Sequence, residues 1–362
     1  MSAPSTDVRV EATRLRGTVG AVFEALGMGK GDAALVAEHL VEANLRGHDS
    51  HGVGMLPVYV ANALSGEMKV TAPLAKVHDV GAVLVFDADL GIGQVAAHQA
   101  IAHGIDRART QGACVLGLRN SHHIGRIGAW AEQCAAAGMV SAHFVNVVST
   151  PSVAPFGGIA PRVGTNPMAV GLPRTDHPPV VVDFATARLA VGKIRVAHNK
   201  RETLPDGVLL DARGEATRDP GALFASPPGA ILPFGEHKGW ALAFACEILA
   251  AALVGGATQT GPKKRNAVVN CMLSLIVSPE RIGTAGTYFR ELEAFADWVR
   301  APAHGRASSV LLPGEPELAR RAERLAAGVP IDATTWSQIA ACAASAGIGA
   351  RRFAEMSGII PP

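Results

Sequence analysis

Residues 239–256 read GWALAFACEILAAALVGG, apolar throughout except for Glu247 near the middle. A carboxylate at the centre of a bilayer span costs roughly 2.5–3.5 kcal/mol, so the run reads as a helix buried in protein rather than in lipid. The chain is large enough to surround it: 362 residues, 48% hydrophobic and 18% charged, can bury a sizeable core in two or more lobes. Thirty-three basic against 31 acidic residues leave a net charge of +2, and no basic run exceeds Lys263, Lys264 and Arg265. That balance argues against a nucleic-acid surface and for small-molecule chemistry. The opening MSAPSTDVRVEA lacks the apolar core of a signal peptide. Cys114, Cys134, Cys246, Cys271 and Cys342 are odd in number and form no CxxC pair, so reduced thiols in a cytoplasm are expected, with no membrane association.

Strand-like runs at 82–86, 113–118, 140–148, 180–184 and 270–277 alternate with helical patterns around 96–108, 127–137 and 240–254. The first 70 residues and the tail from about Tyr288 read almost wholly helical instead. The expectation is an α/β fold, or α+β with a mixed sheet, over residues 76–287, and a helical lobe made by 1–75 together with 288–362. Forty glycines and 23 prolines are spread without an internal repeat or a low-complexity linker.

Four loops carry polar side chains in patterns that suit chemistry. LRGHDSHGVGMLPVY, at 45–59, lies between two helical periods and places Asp49, Ser50 and His51 together. Its plain reading is a helix cap by Asp49 or Ser50 with solvated histidines. RNSHHIGRIGAW, at 119–130, follows a strand and opens a helix, so Ser121, His122, His123, Gly125 and Arg126 stand where free N–H groups favour phosphates. Adjacent histidines diverge and no third ligand sits at a diagnostic spacing, so no metal site is expected. APFGGIAPRVGTNPMAVGLPR surrounds Thr165 and Asn166 with glycine and proline, either as an ordered turn cluster or as a wall where backbone approaches a ligand. ILPFGEHKGWALAF puts His237 and Lys238 at a helix N-terminus, where a lysine is disfavoured unless an anion offsets it. By contrast Gly91, Gly93 and Ala96 of VLVFDADLGIGQVAAHQAI only superficially match the dinucleotide pattern GxGxxG/A. The acidic residue expected about 20 residues on, at the end of the next strand, is missing.

Taken in order, HDSHGVGMLPVYV, GIGQVAAHQAI, RNSHHIGRIGAWAEQCAAAG, VAPFGG, GTNPMAV, VVDFATA, PFGEHKGWAL and LLPGEPE resemble the malate/L-lactate dehydrogenase family that lacks a Rossmann fold. The likeness is nearest to its hydroxycarboxylate dehydrogenase B branch. The resemblance implies an L-sulfolactate dehydrogenase-like fold with its own way of binding NAD or NADP, interconversion of 2-oxo and 2-hydroxy acids, and a homodimer. It implies that His51 donates a proton to the substrate oxygen with Ser50 as relay. His123 competes for that role. It further implies that His123, Ile124, Gly125, Arg126 and Ile127, then Asp183, Phe184 and Ala185, then His237 and Lys238, and finally Pro313, Gly314 and Glu315 surround the cofactor. Thr165 and Gly192 would touch substrate.

Two departures bear on the substrate. Many relatives carry an arginine four residues after the DSHG histidine to fork a carboxylate, and here that position is Met55, which suits bulky or aromatic side chains. Arg126 and Lys193 are the candidate replacements. The cyclic-imine reductase branch has an aspartate where this chain has Lys193, which demotes reduction of cyclic or N-alkyl 2-imino acids to the alternative activity. A non-catalytic dinucleotide-binding protein is the third reading.

Overall fold

The computed structural model describes residues 7–260, 267–302 and 309–359; Lys263, Lys264 and Arg265 lie outside the described residues. β1 (Val8–Val10) leads into α1 (Ala12–Ala25), whose first turn is capped by Glu11 accepting from the Thr13 and Arg14 amides at 2.8 and 3.0 Å. α2 (Lys30–Leu45), 3₁₀ turns at Asp49–His51 and Val53–Met55, and α3 (Leu56–Leu64) follow. β2 (Ala75–Val80), β3 (Val83–Asp87), α4 (Gly93–Gln111), β4 (Ala113–His122), α5 (Gly128–Ala136) and β5 (Val140–Val148) start the α/β region. It continues through β6 (Met168–Leu172), β7 (Val180–Phe184) and α6 (Val191–Lys200) into three two-residue strands, β8 (Leu209–Leu210), β9 (Ala216–Thr217) and β10 (Ala230–Ile231). α7 (His237–Glu247) runs into a π turn at Ile248–Ala252 and then β11 (Val269–Val277). The chain ends in α8 (Ala285–Arg300), α9 (Glu315–Ala327), β12 (Val329–Ile331), α10 (Ala333–Ser345) and α11 (Ala350–Ser357).

Seven strands form a mixed sheet in the order β2-β3-β4-β11-β5-β6-β7, parallel only between β3 and β4, which α4 connects. On one face Ile101 of α4 and Trp130 of α5 pack against Leu84, Leu116 and Met272. On the other, Ala251 and Val254 of the apolar run cover Cys271 and Leu273, which accounts for its composition. A helical core joins the two ends of the chain: Leu15, Phe23, Leu40 and Tyr59 pack with Trp336 and Phe353. β1 pairs antiparallel with β12, Val8 opposite Ile331. α8 stays out of this core and packs its Ala296 on Val180 and Leu312. A third core, around Ile194 of α6, Leu209, Leu223 and Ile231, was not anticipated, because two-residue strands are too short to show a period. All five cysteines are buried and free, and among the described residues no helix is long and apolar enough to cross a membrane.

Burial holds several histidines neutral. His143 lies between the hydroxyls of Ser141 and Ser274 at 2.9 and 2.8 Å, and burial pushes it down to about 3. Burial likewise pushes His39 and His122 down to about 4. Unfolded histidine titrates near 6.5, so the unfolded chain takes up these protons first as pH falls. Their stabilising contribution is complete above about pH 6.5 and is lost progressively towards pH 4. Melting temperature should therefore be level above pH 7 and drop through that window with a slope steeper than one proton. A melting temperature unchanged between pH 6.5 and 4 would contradict this.

Candidate active site

Asp49 does not cap α3, whose first turn has no side-chain cap. Its carboxylate accepts from Asn44 Nδ2 at 2.6 Å and from both terminal nitrogens of Arg324 at 2.6 and 3.0 Å, tying the 45–59 loop to α2 and α9. Asn44 Oδ1 in turn accepts from the Val53 amide at 2.7 Å. A Cβ on Gly52 would collide with the Asn44 side chain, so the glycine is needed for close approach. The pinned loop sets Ser50 Oγ 2.9 Å from His51 Nδ1. Behind Ser50 lies Gly192 of α6, where a Cβ would come 2.5 Å from the Ser50 Cβ.

β4 extends further than the sequence suggested, so Ser121 and His122 are buried strand residues rather than part of a loop at a helix start. His122 turns inward to Asn62, Nε2 to Nδ2 at 3.0 Å. His123 turns the other way and stacks on His51, ring centroids 5.5 Å apart with planes at 23°. Its Nδ1 lies 2.5 Å from the Tyr59 hydroxyl, which also accepts from Gln94 Nε2 at 2.9 Å. The neutral ring carries its proton on Nε2 where the phenol donates to Nδ1, and on Nδ1 where the phenol accepts. Asn270 Oδ1 accepts from the Ile124 amide at 3.0 Å and fixes the loop that follows. Gly93, from the superficially dinucleotide-like pattern, faces the carbonyls of His122 and His123 with no room for a Cβ. Its glycine serves this backbone contact.

His51 lies in the wall between two cavities. One, about 480 Å³, is largely apolar and is lined by Met55, Val58, Leu223 and Phe224 together with Ser50, His51, His123, Thr165, Gly192 and Arg195. The other, about 460 Å³, is rich in cations, with Arg46, Arg126, Arg188, Lys193 and Arg320 beside Asp183 and Glu317. Ser50, His51, Gly125, Ile127 and Thr165 border both. A larger cavity of about 700 Å³, by Asp87, Asp89 and Asn120, has no histidine among its described lining residues.

The remaining candidates divide. Arg126 is buried and bound by Glu132 at 2.6 Å and Asp183 at 3.4 Å, while Asp183 also accepts from the Gly128 amide at 3.0 Å. Together they brace α5 against β7. Phe184 and Ala185 border the cation-rich cavity. The turn at Pro313, Gly314 and Glu315 docks on β7, Pro313 O accepting from the Val181 amide at 3.1 Å, and Glu315 pairs with Arg300. Pro316 and Glu317, just beyond it, reach the cavity. His237 and Lys238 are exposed at the start of α7, His237 against Phe156, and line neither cavity beside His51.

Burial pushes His51 down to about 4; Asp183 opposes that shift, and His48, Arg126 and Lys193 add to it. His123 is driven well below 6.5 by burial and by its neighbours His51 and His122. Both rings are neutral at neutral pH. Tyr59, Gln94, Asn44, Asn270 and Arg195 escaped the sequence reading. Tyr59 falls on the apolar period of α3 and is also a core residue, and single amides carry no local signature. Gly192→Ala should cost about 1–3 kcal/mol by overpacking Ser50. Chemical unfolding measures it, and undiminished stability would mean that α6 is not seated on Ser50.

The sequence matches the family model described as malate/L-lactate dehydrogenase over residues 10–340. It is 47% identical over 347 residues to hydroxycarboxylate dehydrogenase B of Escherichia coli, covering 94% of each chain. It is 40% identical over 259 residues to the Delta(1)-pyrroline-2-carboxylate/Delta(1)-piperideine-2-carboxylate reductase of Pseudomonas putida, covering 71% of this chain and 74% of that one. Its fold matches the sulfolactate dehydrogenase of Methanocaldococcus jannaschii with a TM-score of 0.83 at 29% identity, over 94% of this chain and 98% of the other. With a mixed sheet that lacks a Rossmann unit and a histidine pair at its junction with the helical core, the chain belongs to the malate/L-lactate dehydrogenase family.

Proposed function

We propose that the protein is a cytoplasmic, homodimeric, NAD- or NADP-dependent 2-hydroxycarboxylate dehydrogenase in which His51 moves the proton between substrate oxygen and solvent. Family membership supports oxidoreduction of hydroxy acids with a nicotinamide cofactor. The observation that carries the finer reading is the place of His51, held by Ser50 in the wall between an apolar and a cation-rich cavity.

The cation-rich side suits a diphosphate. Arg188 and Lys193 line it and enter no ion pair among the described residues, and Gly125, at φ +75°, lets backbone approach closely. When bound, the nicotinamide ring supplies or takes up the hydride. The apolar side suits the substrate, with Thr165 and Gly192 beside the reacting carbon and Met55 along its side chain.

The two histidines differ in what they can do. The Ser50 hydroxyl can rotate to donate to or accept from Nδ1, so His51 can change its protonation state. His123 is held on the Tyr59 phenol, and with the phenol donating to Nδ1 it presents Nε2–H to orient the substrate oxygen. A neutral His51 is ready to accept the hydroxyl proton in oxidation. A substrate carboxylate nearby would raise its pKa and help it carry the proton needed for reduction.

His51→Ala should lower turnover by roughly 10²- to 10⁴-fold with NAD(P)H affinity nearly intact. A large loss in His123→Ala with little in His51→Ala would transfer the role. Because the free-enzyme pKa of His51 is depressed to about 4, kcat/KM for hydroxy-acid oxidation should stay level from pH 8 to about 5.5. A limb at 6.5 would show an unperturbed histidine.

With Met55 in place of arginine, phenylpyruvate should have a higher kcat/KM than pyruvate, and Met55→Arg should narrow that gap. A wild-type ratio below one would show that another group has taken over the carboxylate clamp, and a ratio that Met55→Arg leaves unmoved would place residue 55 outside the specificity-determining wall. The similarity to the Pseudomonas putida reductase favours cyclic 2-imino acid reduction as the second reading. NAD(P)H oxidation with panels of 2-oxo and cyclic 2-imino acids separates the two, and activity confined to imines would overturn the first.

A further inference from the structure

A substrate that is a carboxylic acid needs a cation on its own side of His51, and the position four residues after His51 supplies only Met55. Neither replacement suggested by sequence stands there. Arg126 is committed to Glu132 and Asp183, and Lys193 lines the cation-rich cavity alone. Among the described residues lining the apolar cavity there is one arginine, Arg195, no lysine, and no aspartate or glutamate.

Arg195 and Lys193 are two residues apart on α6, about 200° around the helix, so they leave it on opposite faces. Gly192, three residues before Arg195, shares its face and is the point where α6 presses on Ser50. Arg195 therefore rises one helical turn from the Ser50–His51 pair, at the exposed mouth of the cavity. It makes no hydrogen bond or ion pair among the described residues. The mouth also borders a neighbouring cavity with Asp7, Asp49 and Asp332, but Asp49 is held by Arg324 and Asn44, Asp332 by Thr335 at 2.7 and 2.9 Å, and none of the three pairs with Arg195. Among the described residues lining the apolar cavity the guanidinium is thus the one uncommitted charge, the two histidines are neutral, and one monoanion would balance it.

We infer that Arg195 is the specificity-determining residue that binds the substrate carboxylate, holding it from α6 on the side away from the cofactor cavity. The inference rests on the 2-oxo acid reading of the same site. A planar fork can hold a carboxylate through two parallel hydrogen bonds, which a lysine ammonium cannot reproduce. Held at the mouth, the carboxylate leaves Met55 and Val58 to face the substrate side chain.

The test compares phenylpyruvate with its neutral methyl ester at saturating NAD(P)H, in wild type, Arg195→Met, Arg195→Lys and Lys193→Met. Arg195→Met should raise KM for the acid by roughly 10- to 100-fold, the size expected for a lost charge-assisted hydrogen bond, with a much smaller change in kcat. The ester, which can accept a hydrogen bond but carries no charge, should lose much less, so discrimination between acid and ester collapses, and Arg195→Lys should restore only part of it. Lys193→Met should leave that discrimination intact and raise KM for the cofactor. Discrimination unchanged in Arg195→Met, an equal loss for acid and ester, or a collapse in Lys193→Met instead would overturn the assignment while leaving the dehydrogenase reading in place. A wild-type protein inactive towards 2-oxo acids, whether or not it reduces cyclic 2-imino acids, would overturn the reading on which it rests.

Discussion

The buried carboxyl group of Glu247 holds the site to the sheet. It accepts from Asn166 Nδ2 at 2.7 Å, from the Gln259 amide at 2.6 Å and from Asn146 Nδ2 at 3.3 Å. Asn166, in a left-handed turn at φ +29°, receives the Val147 amide on its Oδ1 at 3.1 Å and so fixes its neighbour Thr165 in the wall shared by both cavities. Asn146 Oδ1 takes the Cys271 amide at 2.9 Å, where the pairing of β4 with β11 shifts register. Asn270 donates to the Asn146 carbonyl at 2.9 Å and accepts from Ile124, next to His123. A chain of amides thus runs from the apolar α7 through two central strands to the loop that carries the second histidine. In a low-dielectric interior each member depends on the others, since an unpartnered buried polar group costs about 1–3 kcal/mol.

That network positions one side of the site, and the helical core positions the other. The Asp49–Arg324 pair draws the loop carrying Ser50 and His51 from α2 towards α9, and α6 of the third core closes it through Gly192. His51 and His123 therefore face each other from different cores, and their stacking at 5.5 Å exists only where those cores meet. A junction of this kind leaves space on both sides of the rings. Because the charges collect on the side of Lys193 and Arg188, polarity separates the two cavities.

Much of this was legible in the sequence, for identifiable reasons. The strands at 140–148 and 180–184 are β-branched runs with clear ends, and they match β5 and β7 to the residue. The 45–59 loop stood out because polar residues interrupt two helical periods. Glu247 was visible as an anomaly, but its partners were not, because an asparagine in a strand looks the same whether it faces solvent or bridges two strands. By residue type β4 ends at Leu118, since Arg119, Asn120, Ser121 and His122 look like loop residues, yet pairing of Arg119 with β3 and of Ser121 and His122 with β11 carries the strand on. Lys238 looked like an anion anchor from its position at a helix start, and tertiary placement leaves it exposed, away from both cavities.

The glycines of 91–96 show why spacing alone discriminates poorly. In a dinucleotide motif glycine admits a pyrophosphate, and here Gly93 admits the carbonyls of His122 and His123. The steric demand is the same, a backbone surface that must come closer than a Cβ allows, and only the partner differs. That contact seats the end of β4 on the start of α4, whose next residue, Gln94, reaches the Tyr59 hydroxyl and through it His123. A glycine spacing that resembles cofactor recognition therefore acts on the histidine instead, by fixing both the position of its backbone and the helix whose side chain meets its phenol partner.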